Sequence, residues 1–392
     1  MGCQTMSDNP RVMFLIRSLE RGGAERQLVV LAAGLHREGW PVTVVCFYAG
    51  GSFQRELEQA GVPVIDLAKH GRWDVFGFLW RLFGVFRKVR PDLVHGYLPV
   101  PNLLALLSRL VRPGTRVLWG VRASYMDLSR YDRLSRAAFW LQCRLARYVD
   151  LIIANSAAGM EYHVAHGFPQ PAMRVIPNGI DTTRFRYDAA GRERLRRDWG
   201  VPESAVLVGQ IGRLDPMKGH PTFLRAAARL ALIDPNWRFV CVGDGASDYR
   251  AELERQATEL GLGSRLIWAG ARNDMSAVYS ALDVFVSSSY GEGFPNAVAE
   301  AMACGRSCVV TDVGDSAAIV GSLGEVVEAD DPLSLSHGVE RAHQRMAKDG
   351  LVLEQELRAR IKSHYNIANL VHATGIALRS VSSASPSNDA LS

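Results

Sequence analysis

Glu292 and Glu300 bracket the run Gly291-Glu292-Gly293-Phe294-Pro295-Asn296-Ala297-Val298-Ala299-Glu300, and this pair of carboxylates offers the most definite chemistry in the chain. Upstream, Asp283-Val284-Phe285-Val286 has the composition of a strand, and Pro295 suits a first helical position, where its missing N–H is not needed. Glu292 is then expected in a strand-to-helix loop. On the helix, Asn296 and Glu300 share a face, with Ala297 and Ala301 forming a small neighbouring one. Free N–H groups after Gly293 would favour a diphosphate at the helix start, and carboxylates accept hydrogen bonds from sugar hydroxyls. The same residues also fit an ordinary helix N-terminus, with Glu292 placed for the dipole and Glu300 on a solvated face.

Three other places have residue types suited to the same chemistry. Gly212-Arg213-Leu214-Asp215-Pro216-Met217-Lys218-Gly219 follows a strand-like run, where a doubly wound sheet exposes its ligand-binding edge. Its arginine can fork onto phosphate oxygens and its lysine adds a point charge, so the two suit a diphosphate. Gly22-Gly23 lies in the first strand-to-helix loop and, taken alone, is also a plain turn. His95, after Leu93-Val94, and Arg122, after a strand ending near Trp119, are expected at strand ends. A satisfied core histidine is the competing reading of His95.

The elements that must position these residues alternate between strand-like and helix-like runs. Val12 to Ile16, Gly22-Gly23, Ala24 to Arg37 and Val42 to Phe47 read as one βαβ unit. Leu93-Val94-His95, Arg116 to Trp119, Leu151 to Ile153 and Arg174 to Ile176 continue the series. A second series runs through Val206 to Ile211, a helix over Pro221 to Leu232, Arg238 to Val242, Leu266 to Trp268, Val284 to Val286 and Ser307 to Val310. A linker is expected between Asn178 and Val201, and Ile361 to Leu378 is the candidate last helix. The Ser382 to Asp389 tail has a disordered composition.

With 392 residues the chain has room for two domains. Its six cysteines form no Cys-x-x-Cys pair, which favours a reduced cytosolic protein, and the N-terminus lacks signal-peptide features. Charge divides unevenly: residues 1–185 carry 23 Lys and Arg against 14 Asp and Glu, while residues 186–392 carry 22 against 26. The basic half includes the aromatic segment Arg72 to Arg90, suited to a membrane interface or to a helix with its aromatic side buried. A second basic helix candidate contains Arg130, Arg133, Arg136, Arg144 and Arg147. No nucleic-acid-binding module and no metal-ligand motif accompanies them.

The spacing from Glu292 to Glu300, the Gly212-Arg213…Lys218-Gly219 string and the Gly22-Gly23-Ala24-Glu25-Arg26 string resemble those of retaining glycosyltransferases with the two-Rossmann-domain GT-B fold. This is the large family that includes bacterial polysaccharide and lipid glycosyltransferases. The resemblance implies an α/β architecture of two doubly wound domains facing a central cleft, with a C-terminal helix crossing back onto the first. The corresponding boundaries are 1–180 for an acceptor domain, 181–365 for a donor domain, 366–380 for the helix and 381–392 for a disordered tail.

By resemblance, Glu292 lies beside the donor sugar with Gly293, Phe294 and Asn296 around it, and Glu300 binds the ribose. Arg213, Lys218 and backbone at Gly23 take the donor phosphates, and main chain near Arg272 the base. His95 and Arg122 join Glu292 as catalytic candidates. The family often has Val-His-x-His-x-Pro where this chain reads Val94-His95-Gly96-Tyr97-Leu98-Pro99, so the second histidine is missing, and Arg122 stands where many members carry a histidine. The implied reaction is metal-independent hexosyl transfer from a UDP- or GDP-sugar by front-face displacement, with domain closure excluding water and no further cofactor. A lipid-linked saccharide acceptor and a peripheral place at the cytoplasmic face of the inner membrane, in contact with anionic lipid, are the expected setting. A nucleotide-sugar epimerase of the same fold and a non-catalytic partner subunit are the alternatives.

Overall fold

The computed structural model describes residues 9–48, 50–71, 73–122 and 133–383. Arg72, Arg130, the side chain of Arg133 and the tail from residue 384 onward lie outside the described residues. Two compact units divide the chain: one runs to Gly179 and takes in the chain again from Ile367, and the other is Ile180–Asn366.

The first unit is built on β1 (Val12–Ile16), β2 (Val42–Cys46), β3 (Val64–Asp66), β4 (Leu93–Tyr97), β5 (Arg116–Val121), β6 (Leu151–Ala154) and β7 (Met173–Val175). All pair parallel, in the order β3-β2-β1-β4-β5-β6-β7. Every residue of β1 and β4 is buried, as parallel strands covered on both faces require. One face is covered by the Gly23–Arg37 and Ile367–Ser383 helices, which touch closely at a glycine: a Cβ on Gly34 would lie 2.3 Å from Val371 Cγ2. On the other face Phe78, Leu82 and Phe86 from the Val75–Val89 helix enter a core with Met13, Val94, Val117 and Trp119. The strand order reverses between β1 and β4, and this opens a crevice position at their carboxyl ends.

The second unit holds β8 (Val206–Ile211), β9 (Trp237–Val242), β10 (Leu266–Gly270), β11 (Val284–Ser287), β12 (Ser307–Thr311) and β13 (Glu325–Val327). These are also parallel, ordered β10-β9-β8-β11-β12-β13, so the order reverses between β8 and β11. Both units are therefore doubly wound α/β sheets.

Several boundaries differ from the sequence expectation. The segment read as a linker contains the Ala189–Asp198 helix, which packs on the Met275–Ala281 helix, with Asp188 accepting from Gly191 N as its cap. The expected last helix, Ile361 to Leu378, is broken at Tyr365 and Asn366: Ile361 lies in the last turn of the Pro332–His364 helical segment, itself kinked at Gly350, and Ile367–Ser383 is a separate helix. Val381–Ser383, assigned to the tail, are helical. The strands β3 and β13, each two apolar residues beside a carboxylate, stand where no strand was expected.

Candidate functional site

In the second unit the loops after β8 and β11 meet at the reversal of strand order, and a dense set of hydrogen bonds fixes them to each other. Gln210, on β8, donates to the Lys218 carbonyl at 2.6 Å, and Ser288 donates to Gln210 Oε1 at 2.8 Å and to the Gly219 carbonyl at 2.9 Å. Tyr290 N donates to the Met217 carbonyl at 2.8 Å. Gly219 has φ +63°, and a Cβ there would sit 1.8 Å from the Ser288 carbonyl oxygen. A glycine is needed both for the left-handed turn and for the close approach.

This scaffold brings Lys218 and Glu292 together. Lys218 Nζ donates to Glu292 Oε1 at 2.6 Å, and Ser289 Oγ donates to the same oxygen at 2.6 Å. The Glu292 side chain is 11% exposed and that of Lys218 32%, so the pair is shielded yet reachable from one side. The loop is held from beyond by Asp315 N donating to the Gly293 carbonyl at 3.0 Å. Gly314, at φ +57°, leaves room for the Glu292 carbonyl, which a Cβ would approach to 2.3 Å.

Asn296 is the first residue of the Asn296–Ala303 helix, and Pro295, at ψ 94°, is its cap rather than its first residue. Glu300 follows one turn after Asn296 and accepts from Tyr279 Oη at 2.7 Å. Burial, then the neighbouring Glu300 charge, pushes the Tyr279 hydroxyl well above its ordinary pKa, so it stays protonated and donates. Phe294 is expected beside the sugar, but it is 6% exposed, belongs to the core and meets the Tyr365 ring at 5.4 Å. Its side chain braces the loop, and the buried Gly293 offers backbone only.

The remaining second-unit candidates are less convergent. Arg213 points outward, 72% exposed, and pairs with Asp215 at 2.9 Å. Asp215 also accepts from Met217 N at 3.0 Å and so shapes the turn that carries Lys218. Arg272 follows β10 at the sheet edge, where its guanidinium forks onto both Asp274 oxygens at 2.8 Å and lies 5.9 Å from the Trp199 ring centre.

In the first unit, Gly23 opens the Gly23–Arg37 helix directly after the β1 loop. Within the same helix Gln27 donates to the Gly179 carbonyl at 3.1 Å and accepts from Gly179 N at 2.9 Å. Next to Gly179, Asn178 Oδ1 accepts from Arg122 Nη1 at 3.0 Å, and the Arg122 guanidinium lies 4.4 Å over the Tyr97 ring. Arg122 thus stands at the end of β5, beside the end of β4. Leu98, which follows Tyr97, has φ +74°, a costly conformation for a leucine and one that turns the chain sharply before Pro99.

His95 is not at a strand end. It sits within β4, is fully buried, and packs between Phe14 at 5.4 Å and Tyr97 at 4.8 Å. Burial, aided by Arg122, lowers its pKa to about 3, so it is a neutral ring. Neither ring nitrogen has a hydrogen-bond partner among the described residues. The strand runs on to Tyr97, and it is Tyr97 that supports Arg122. Tyr97, Asn178, Tyr279 and Ser289 were absent from the sequence-derived site. Each is joined to it by a long-range contact or by a loop fold that spacing does not reveal.

The pair of doubly wound parallel sheets is the two-Rossmann-domain GT-B architecture, the fold of solved glycosyltransferase structures. Residues 21–184 match the family described as Glycosyltransferase Family 4, and residues 205–345 match Glycosyl transferases group 1. The chain carries one domain of each kind and has bacterial glycosyltransferases as relatives.

A UDP-Gal:alpha-D-GlcNAc-diphosphoundecaprenol alpha-1,3-galactosyltransferase of Escherichia coli is 24% identical over 74% of this chain and 76% of its own length. A 2-deoxystreptamine glucosyltransferase of Streptomyces kanamyceticus is 30% identical over 65% of this chain and 66% of its own. Among solved structures, Anabaena HepE in complex with UDP and glucose has a TM-score of 0.82 at 22% identity, covering 95% of this chain and all of that one. At that identity the likeness concerns the fold.

Proposed function

We propose that the protein is a retaining glycosyltransferase that moves a hexose from a nucleoside diphosphate sugar to an acceptor hydroxyl. The observation that carries the reading is the shielded Lys218–Glu292–Ser289 contact at the β8/β11 reversal, with Glu300 on the adjoining helix turn. Glu292 holds the donor sugar, with Asn296 beside it; Glu300, oriented by Tyr279, holds the ribose. Lys218 and Arg213 take the diphosphate, where Lys218 offsets charge on the leaving group, and main chain near Arg272 meets the base. In the first unit, the backbone at Gly23 and the cation of Arg122, held by Tyr97 and Asn178, are available to a phosphate-bearing ligand. His95 packs against Tyr97 and, fully buried with neither ring nitrogen hydrogen-bonded among the described residues, has no contact through which to pass a proton. With Lys218 and Arg213 offsetting the diphosphate charge, the proposed reaction needs no divalent metal.

For the acceptor we favour a lipid-linked saccharide of bacterial polysaccharide or glycolipid assembly, met at the cytoplasmic face of the membrane. The Escherichia coli relative, named for a diphosphoundecaprenol acceptor, supports that choice. A panel of UDP- and GDP-sugars incubated with a lipid-linked saccharide, with and without chelator, tests the proposal. One donor should be consumed, with the anomeric proton of the product showing the donor's configuration by NMR and no loss on chelation. An inverted product would overturn the retaining assignment, and interconversion of the nucleotide-sugar without acceptor would identify an epimerase.

A further inference from the structure

The Val75–Val89 helix of the first unit has aromatic residues on two faces, and only one of them is used by the core. Phe78, Leu82 and Phe86 point inward. Opposite them Phe76 is 90% exposed and Trp80 75%, and Trp73, just before the helix, is 88% exposed. One and two turns further along that outer face come Gly84, Arg87 and Lys88, all exposed, followed by exposed Arg90. The helix itself contains no acidic residue. Asp74, ahead of it, is tied to Arg81 and to His70 N, so no exposed carboxylate of the helix opposes the cations. Beside Trp80 a cleft of about 350 Å³ is lined by Leu67, Val85, Arg87 and Lys88 together with exposed Asp66 of β3, so two cations of the helix face a single carboxylate there. The short Ser108–Val111 helix packs beside this one and adds Leu110, which is 74% exposed.

Exposed large aromatics are costly in water, and monomeric proteins rarely group them without a partner. Tryptophan and phenylalanine followed by arginine and lysine along one face match a bilayer interface, where rings enter the headgroup region and cations meet lipid phosphates. No helix among the described residues is long and apolar enough to cross a membrane. We infer that the outer face of the Val75–Val89 helix, with Trp73, Phe76 and Trp80 as the inserted rings and Arg87, Lys88 and Arg90 as the phosphate contacts, docks the protein onto an anionic lipid surface. The inference deepens the proposed setting at a membrane face, but the surface is independent of the transfer chemistry in the second unit.

Co-sedimentation with vesicles tests it, using phosphatidylcholine alone and phosphatidylcholine with about one third phosphatidylglycerol. The full chain should bind the anionic vesicles, bind the neutral ones much less, and be released in part by high salt. Replacing Phe76 and Trp80 together by serine should lower the bound-to-free ratio at least about tenfold. Arg87→Gln and Lys88→Gln should each lower it about fivefold. Because these side chains are exposed, thermal midpoints and hydrolysis of the donor sugar in solution should match the unaltered protein. Equal binding by the variants, or no binding of the full chain to anionic vesicles while donor turnover is normal, would overturn the surface and leave the transferase reading standing. A dimer seen by sedimentation velocity and abolished by Trp80→Ser would assign the face to a second copy and equally overturn it.

Discussion

Lys218→Ala separates the ion pair this lysine makes from the phosphate role proposed for it. Its ammonium sits 2.6 Å from Glu292 Oε1, and the Glu292 side chain is 11% exposed. Removing one partner of a fully buried pair costs about 3–5 kcal/mol, because the other charge is left without compensation. Here Ser289 still donates to Glu292, and the 32% exposure of Lys218 lets water in, so the loss should be about 1–2 kcal/mol. For a unit of this size that lowers the melting midpoint by roughly 2–8 °C. A folded domain with an ordinary margin of about 5–15 kcal/mol remains folded.

The catalytic effect should be larger, because a preorganised charge facing the leaving diphosphate contributes about 100- to 1000-fold in kcat. Donor kinetics and thermal melting on the same preparation read both quantities. A double-mutant cycle with Lys218→Met and Glu292→Gln should show a stability coupling of at least about 1 kcal/mol, since the double variant strands no charge. A kcat/KM for Lys218→Ala within about threefold of the unaltered protein would refute the phosphate role. Strictly additive stabilities would refute the ion pair.

Other outcomes follow from single contacts. Tyr279→Phe removes the hydroxyl that orients Glu300 and should raise the donor KM about tenfold with little change in kcat, as initial-rate kinetics will show. Gly219→Ala forces a Cβ to within 1.8 Å of the Ser288 carbonyl at a φ of +63°; it should cost more than about 2 kcal/mol and lower the melting midpoint clearly. His95 has a folded pKa of about 3 against an ordinary 6.5. Below about pH 6.5 the unfolded chain therefore takes up a proton that the folded chain refuses, and stability falls as pH falls towards 3. Urea unfolding at pH 7 and pH 5 should show about 2 kcal/mol of loss from this residue, absent in His95→Phe.

Much of the architecture was legible because strand and helix periodicity are local properties. β1 and β8 run over the residues their apolar composition marks, and the Gly23–Arg37 and His220–Ile233 helices begin and end within a residue of the expected bounds. The loop placement of Glu292 was local too, since a strand, a glycine turn and a proline fix where it falls. The strands β3 and β13, each two apolar residues beside a carboxylate, carry too little pattern to be seen, and the Ala189–Asp198 helix was hidden because a charged run with glycines reads as a linker until the Met275–Ala281 helix packs against it.

What the chain determined by itself is therefore the set of elements and the residue types at their carboxyl ends. Which of those residues meet was decided by tertiary structure, because strand order is set by long-range pairing rather than by neighbours in sequence. The β8/β11 reversal joins Lys218 to Glu292, and Tyr279 reaches Glu300 only once their two helices pack on the sheet. Burial had the same origin. His95 is drawn into the core by Phe14 and Tyr97, and the aromatics of the Val75–Val89 helix divide into an inner and an outer set only against the sheet they cover. A helix of rings and cations has a pattern in sequence, but which side meets water depends on what the rest of the chain presents to it.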